Sequence, residues 1–308
     1  FSADGVGVID ETGFIKKGKQ SVGVQRQYSG TAGKVENCQI GVFLSYVSEQ
    51  GHTFLDRALY LPESWTQSPE RCRQAGVPDN IEFATKPALA EQMVTRTTDL
   101  GMRFAWITGD AVYGNNPGLR QALEAQMQAY VLGIACTESV VIGTTSLAAR
   151  EAMAYLRATD WHRLSAGQGT KGPRTYNWAV LTLSEPAPDG WAHRLLFRRN
   201  LKDPNEIAYY RVFAPTACTL AEMVRVAGCR WTIEECFETA KGEVGLDQYE
   251  VRSWTGWHRH ITLACLAHAF LSVMRANSLV STTEKGGLNS HTSAVNSSMM
   301  AFKHQRGL

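Results

Sequence analysis

A chain of 308 residues, 44% hydrophobic and 19% charged, has ordinary globular composition and enough length for one large domain or two modest ones. A net charge of +2 is too small to announce nucleic-acid binding, so any grip on a polyanion must come from local basic clusters. Seven cysteines, an odd number without a C-x-x-C, argue for a reducing compartment and against a disulfide framework or zinc knuckle. No apolar run is long enough to cross a bilayer, and no secretory pattern leads the chain.

The opening FSADGVGVID enters an apolar run at once, without an initiator Met, and reads as a fragment of something longer. GVGVID (Gly5 to Asp10) has the pattern of a buried strand closing on an acid. SVGVQRQYSG, CQIGVFLSYVSE and HTFLDRALYLP are further strands, rich in β-branched and aromatic residues with turn residues between them. KPALAEQMVTRTTDLGM is a helix, with Pro87 in its first turn and Gly101 at its end. RFAWITGD is a second apolar strand ending in acid, at Asp110, and NNPGLRQALEAQMQ a second helix. From about Tyr130 to Pro215 short strand-like runs (YVLGIA, SVVIG, NWAVLTLSE, HRLLFRR, IAYYRVF) read as a β-rich insertion of its own, interrupted by a helical SLAAREAMAYL. Thr219 with Glu222, and Thr232 with Glu235, fit capping boxes, and Gly228 marks an expected break between two helical pieces. GWHRHITLACLAHAFLSVMRA is a long helix, and the polar residues from Asn277 on are expected to form a mobile tail.

Within CRWTIEECFETAK, Arg230, Glu234 and Lys241 fall at i, i+4 and i+11, one stripe of a 3.6-residue helix. Ile233, Phe237, Ala240 and Val244 make a separate apolar stripe. One reading of the charged stripe is a solvated face with i,i+4 pairs. The other joins it to Asp10 and Asp110, because functional groups of α/β sheets gather at the carboxyl ends of strands. Three clustered carboxylates repel and need cations; oxygen ligands without His or Cys suit Mg²⁺ or Mn²⁺. Two such ions activate a water or hydroxyl and stabilise the leaving oxygen of a phosphodiester, with Arg230 and Lys241 holding phosphates beside them.

These residues resemble a DDE transposase of bacterial insertion sequences, in the subgroup with the signature Y-x-x-R-x-x-x-E-x-x-x-x-x-x-K. Arg230, Glu234 and Lys241 match that spacing; DETGFIKKGKQSVGVQRQY and ITGDAVYG are similar to the family's segments around its first and second Asp. LDRALYLPESW and GLDQYEVRSWTGWHRHITLACLAHAFL extend the likeness, which runs from Gly5 to about Met274. The resemblance implies an α/β fold: a ribonuclease H-like core with a β-rich insertion before the last catalytic helix. The boundaries would be 1–129 for the first part of the core, 130–215 for the insertion, 216–276 for the C-terminal core helices and 277–308 for a flexible polar tail. The signature tyrosine falls at Ala227, so its hydroxyl must be dispensable or supplied elsewhere. The family's N-terminal DNA-binding region has no counterpart in these residues, so recognition of transposon ends would be incomplete.

The expected activity is metal-dependent cleavage and strand transfer at insertion-sequence ends. Asp10, Asp110 and Glu234 are the catalytic and metal-binding residues, with two Mg²⁺ or Mn²⁺ ions. Rival readings are a ribonuclease H-like DNA nuclease without strand transfer and an inactive DNA-binding remnant. The expected partner is double-stranded DNA, transposon ends and target, with self-association on DNA; the expected setting is the bacterial cytoplasm, at the nucleoid, with no membrane. Secondary DNA contacts are Lys16 and Lys17, after the first acid; Lys171 and Arg174, in a basic turn; Trp178, as a base-stacking aromatic; and Arg252 and Arg259, by position. Each has a bland reading too: a solvated hairpin for the lysines, a core residue for the tryptophan. Trp161 and Trp191 are further aromatic candidates, and His258, His260 and His268 suggest a metal only weakly, having no i,i+4 pair.

Overall fold

The computed structural model describes residue 2, residues 4–169 and residues 172–285, with side chains through residue 278. The first half of the chain forms β1 (Val6–Ile15), β2 (Gln25–Ser29), β3 (Lys34–Ser48), β4 (Gly51–Tyr60), α1 (Glu63–Thr66), α2 (Pro69–Gln74), α3 (Lys86–Asp99), β5 (Trp106–Gly109), α4 (Ala111–Gly114), α5 (Pro117–Ala125) and β6 (Tyr130–Ile134). Then follow β7 (Ser139–Ile142), β8 (Thr145–Ala148), β9 (His162–Gly169), β10 (Gly172–Thr182), β11 (Trp191–Arg199), β12 (Ile207–Pro215), α6 (Leu220–Glu243) and α7 (Trp254–Lys285). The architecture is mixed α/β around one large mixed sheet, ordered β2-β3-β1-β5-β6-β12-β11-β10-β9, with β4 also on β3. β1, β5 and β6 are parallel, and the rest of the sheet pairs antiparallel. Among the described residues no helix is long and apolar enough to cross a membrane.

Alternation along β1 assigns the two layers. Val6, Val8 and Phe14 belong to the core under α6 and α7, while Ile9 belongs to the core under α3 and α5. Phe237 clamps α6 to the sheet, its ring 5.3 Å from both Phe43 and Phe54. Trp257 and Ile261 on α7 are fully buried, worth about 1.5–3 kcal/mol each. These anchors fix the rotation of α6 and so decide which of its stripes faces β1.

Several sequence expectations change. β6 pairs in parallel with β5, and β12 pairs with β6, so β9–β12 continue the large sheet, while β7 and β8 form a separate two-stranded sheet. SLAAREAMAYL is not one helix; it gives the end of β8 and a 3₁₀ turn over Glu151–Tyr155. The Thr219–Glu222 capping box forms, but Thr232 and Glu235 lie inside α6, which runs unbroken through Gly228. That glycine is there for close approach: a Cβ on it would stand 2.1 Å from the Ala166 carbonyl oxygen of β9. The last helix continues past Asn277 to Lys285, into the segment read as a tail; residues 286–308 lie outside the described residues.

Candidate active site

Two acids meet because β1 and β5 are parallel and in register. Ile9 of β1 pairs with Gly109, the last residue of β5, so Asp110 leaves its strand beside Asp10, about 4.8 Å away in the backbone. β1 does not close on its acid as the sequence pattern suggests but runs on to Ile15, held by pairing with β3. Asp110 caps α4, its Oδ1 accepting the Val112 N–H at 2.9 Å. Asp10 Oδ1 accepts the Glu11 N–H at 2.8 Å. Facing them lies the charged stripe of α6. The Arg230 guanidinium donates to Asp10 Oδ2 at 3.1 Å and to Glu234 Oε1 at 2.9 Å. Farther along, Lys241 Nζ donates to Thr12 Oγ1 at 2.8 Å and to Thr31 Oγ1 at 3.4 Å.

The pleat separates Glu11 from Asp10. Glu11 points to the other face, where Oε1 accepts from Lys86 Nζ at 2.6 Å and Oε2 from the buried Tyr113 hydroxyl at 2.6 Å. Lys86 and Tyr113 carried no recognisable signal, whereas Thr12, two residues from Asp10 on one strand face, was open to the same alternation argument.

Charge is unevenly satisfied here. Burial pushes the Asp10 carboxyl up to about 7, opposed by Arg230 and reinforced by Asp110. Asp110 is also raised, first by burial and then by Glu11. Burial works against the Arg230 charge, but Asp10, Glu234 and Asp110 more than restore it. Burial lowers Lys241, with Asp247 opposing. One guanidinium thus faces three carboxylates.

The donor chemistry fits a hard divalent cation. Asp10 and Asp110 offer oxygens only, and both are held above the ordinary carboxylate range, a state that added positive charge would relieve. The expected three-carboxylate pocket is not assembled, however. No group of three His, Cys, Asp or Glu side chains set to hold a metal occurs among the described residues, and Glu234 reaches Asp10 only through Arg230. Like charges repel, and without added cations the guanidinium takes the space between them.

Several secondary candidates are corrected. Trp178 is 1% exposed and its indole N–H donates to the Leu164 carbonyl at 3.2 Å, so no base can stack on it without opening the core. Arg174 spends its guanidinium on the Ala166, Gln168 and Gly228 carbonyls, tying the β9–β10 hairpin to α6. Lys16 is committed to Tyr249, with Nζ 3.0 Å from its carbonyl oxygen and 3.6 Å from its ring centroid. Lys17 and Arg252 are exposed and line a 660 Å³ groove with Lys16, Asp247 and Glu250. Arg259 is exposed on α7, and Lys171 lies outside the described residues. Trp161 carries Arg199 over its ring and Trp191 stacks on Phe213. His258 and His260 contact the Trp254 and Gly245 carbonyls, and His268 is buried beside Thr53; none joins a metal-holding group among the described residues.

A family model described as DDE superfamily endonuclease matches residues 2–180, more than half of the chain. The match takes in Asp10 and Asp110 and ends inside β10, before α6. Among curated proteins, the chain is similar to a probable transposase for insertion sequence element IS701 from Microchaete diplosiphon, at 25% identity over 217 residues. That alignment covers 66% of this chain and 52% of the relative, so the chain spans about half the length of the curated protein it matches.

Proposed function

The chain belongs to the DDE superfamily endonucleases, a family that acts with divalent metal ions, and from that membership we propose that it is the catalytic domain of an insertion-sequence transposase. It cuts double-stranded DNA at transposon ends and joins the freed strand to target DNA, on a ribonuclease H-like core. The observation that carries this reading is the convergence of Asp10, Asp110 and the Arg230–Glu234–Lys241 stripe, from distant parts of the chain, on one face of the sheet. The relative named as a probable transposase supports strand transfer over simple nicking.

Asp10 and Asp110 would hold the cation, Mg²⁺ or Mn²⁺ with two ions as the expected number, and Glu234 would join them if Arg230 released it. Bound there, it supplies Lewis-acid activation of an oxygen nucleophile and charge neutralisation at the leaving oxygen. Arg230 then exchanges carboxylate for DNA phosphate, a fork suited to both. Lys241, oriented by Thr12 and Thr31, presents a point charge to a second phosphate. Glu11 stays with Lys86 and Tyr113 and keeps β1 in place. In domain terms, we read β1–β6 with α6 and α7 as the core and the residues from β7 to β12 as the insertion. Self-association is supported by an outward apolar stripe on α7. Leu263, Leu266, Phe270 and Val273 are each more than half exposed there, at the spacing of a helix–helix seam.

The test is cleavage of supercoiled DNA with Mn²⁺, followed by strand transfer of precut ends. Asp110→Asn should abolish both and leave DNA binding nearly unchanged. Cutting without transfer would favour the plain nuclease. Binding by the unmodified protein with no cutting in either metal would leave only a DNA-binding remnant.

A further inference from the structure

We propose that Arg198, its guanidinium over the Tyr176 ring and beside Tyr210, binds a backbone phosphate of a DNA strand running from the carboxylates along the ends of β6, β12 and β11. The inference rests on the DNA-cutting reading above and names a contact that the acidic stripe does not supply.

Register places these groups. β12 pairs with β6, β11 with β12 and β10 with β11, so the sheet that carries Asp10 continues without a break to β10. Alternation then selects the face. Tyr210, Leu196, Tyr176 and Trp178 pack with Val6 and Val8, the face on which Asp10 and Asp110 emerge and α6 lies. Arg198 shares it: its guanidinium carbon is 4.6 Å from the Tyr176 ring centroid, whereas Arg199 turns to the opposite face and Trp161. Buried Trp178 floors the arrangement, its ring 6.1 Å from Tyr176 and 6.0 Å from Tyr210.

Arg199 lies over Trp161 on the opposite face, and the remaining arginines of β10–β12 are committed. Arg174 donates to three carbonyls, Arg194 to Pro215 and Thr216 carbonyls, and Arg211 pairs with Glu185. Arg198 has no carboxylate within ion-pair distance among the described residues, and its guanidinium rests over the tyrosine ring. Stacking holds a guanidinium flat and leaves its in-plane N–H groups for a phosphate fork. Electrostatics link it to the site, since Tyr210 lies in the fields of both Arg198 and Arg230. From β5 to β11 is three strand spacings, about 14 Å, or roughly four nucleotides of axial rise. Such a contact would fix the strand's direction over the scissile bond.

The measurement is binding of a short duplex of arbitrary sequence by the full chain across a salt series, with nicking in Mn²⁺ alongside. Arg198→Gln should weaken binding about three- to tenfold and lower the slope of log K against log salt by about one. Arg198→Lys should keep the slope and lose part of the affinity, and Tyr176→Leu should lose affinity with the charge intact. Circular dichroism and the thermal midpoint identify variants that fold, and the lysine variant tests the idea should glutamine not. Unchanged affinity and slope in folded Arg198→Gln, with the unmodified protein binding and cutting, overturns this contact alone. An unmodified protein that neither binds nor cuts overturns the DNA reading and this contact with it.

Discussion

Asp10 and Glu11 are neighbours in sequence and opposites in circumstance. Glu11, on the α3 face, has a lysine and a buried hydroxyl to itself. Asp10, on the α6 face, shares one guanidinium with Glu234 and sits beside Asp110. A satisfied carboxylate is a fastener; an undersatisfied pair beside a cleft is a place where a cation or a phosphate can change the balance. Both acids form an ion pair, but only Glu11 has its cation to itself.

The largest effect should come from the undersatisfied side. Asp110→Asn removes an oxygen proposed to hold the cation, at a position that caps only the short α4. Cleavage should fall about a thousandfold or more, roughly 4 kcal/mol of barrier, with little change in the unfolding midpoint. A variant that cuts at the parent rate would remove Asp110 from the site. On the satisfied side, Glu11→Gln should do the reverse. It leaves Lys86 half-buried without its carboxylate and should cost about 1–3 kcal/mol in denaturant unfolding, while folded molecules still cut. Loss of cutting without loss of stability would erase the distinction between the two acids.

Gly228 sharpens the comparison from the α6 side. In an isolated helix Gly→Ala gains about 1 kcal/mol. Here the methyl group would collide with the Ala166 carbonyl of β9, so Gly228→Ala should destabilise by about 2 kcal/mol and shift Arg230, two residues on. Thermal unfolding settles the sign: a stabilised alanine variant would mean that β9 does not press on the helix.

That glycine also shows where the sequence was legible and where it was not. The strand through Asp10, the strand ending before Asp110, the helix from Lys86 and the capped start of α6 were readable, because pattern, Pro87 and the Thr219–Glu222 box are local signals, whereas the run of β1 on to Ile15 rests on its pairing with β3. Stripe geometry on α6 was readable too, since helical period alone puts Arg230, Glu234 and Lys241 together. Gly228 was read as a breaker because close approach by β9 is a tertiary fact. The burial of Trp178 and the tethering of Arg174 and Lys16 depend on the same kind of fact, namely which faces α6 and the β9–β10 hairpin cover. So does the seat of Arg230 between two carboxylates, which follows from charge balance after folding and leaves no mark in the spacing.

The smallest effect is the most direct probe of that balance. Unfolded Asp10 ionises near 3.8, and in the fold it does so at about 7. Below pH 4 both states are protonated and the residue contributes nothing to pH dependence. Between pH 4 and 7 the unfolded chain releases its proton while the native state keeps it, so stability falls as pH rises and levels off above 7. Asp10→Asn has no proton to lose and should escape that decline. Arg230 gives up an ionic partner in the variant, so the relative gain is about 1–2 kcal/mol above pH 7, vanishing near pH 4. Arg230, Asp110, Glu11 and Glu234 remain around the position, so the comparison isolates one charge. Added Mn²⁺ at pH 8 should raise the unfolding temperature of the parent and not of the variant, because the cation relieves the repulsion that the asparagine has already removed. A parent whose stability rises between pH 4 and 7 relative to Asp10→Asn would mean that Arg230 alone satisfies Asp10, and the cleft would then be a closed salt bridge.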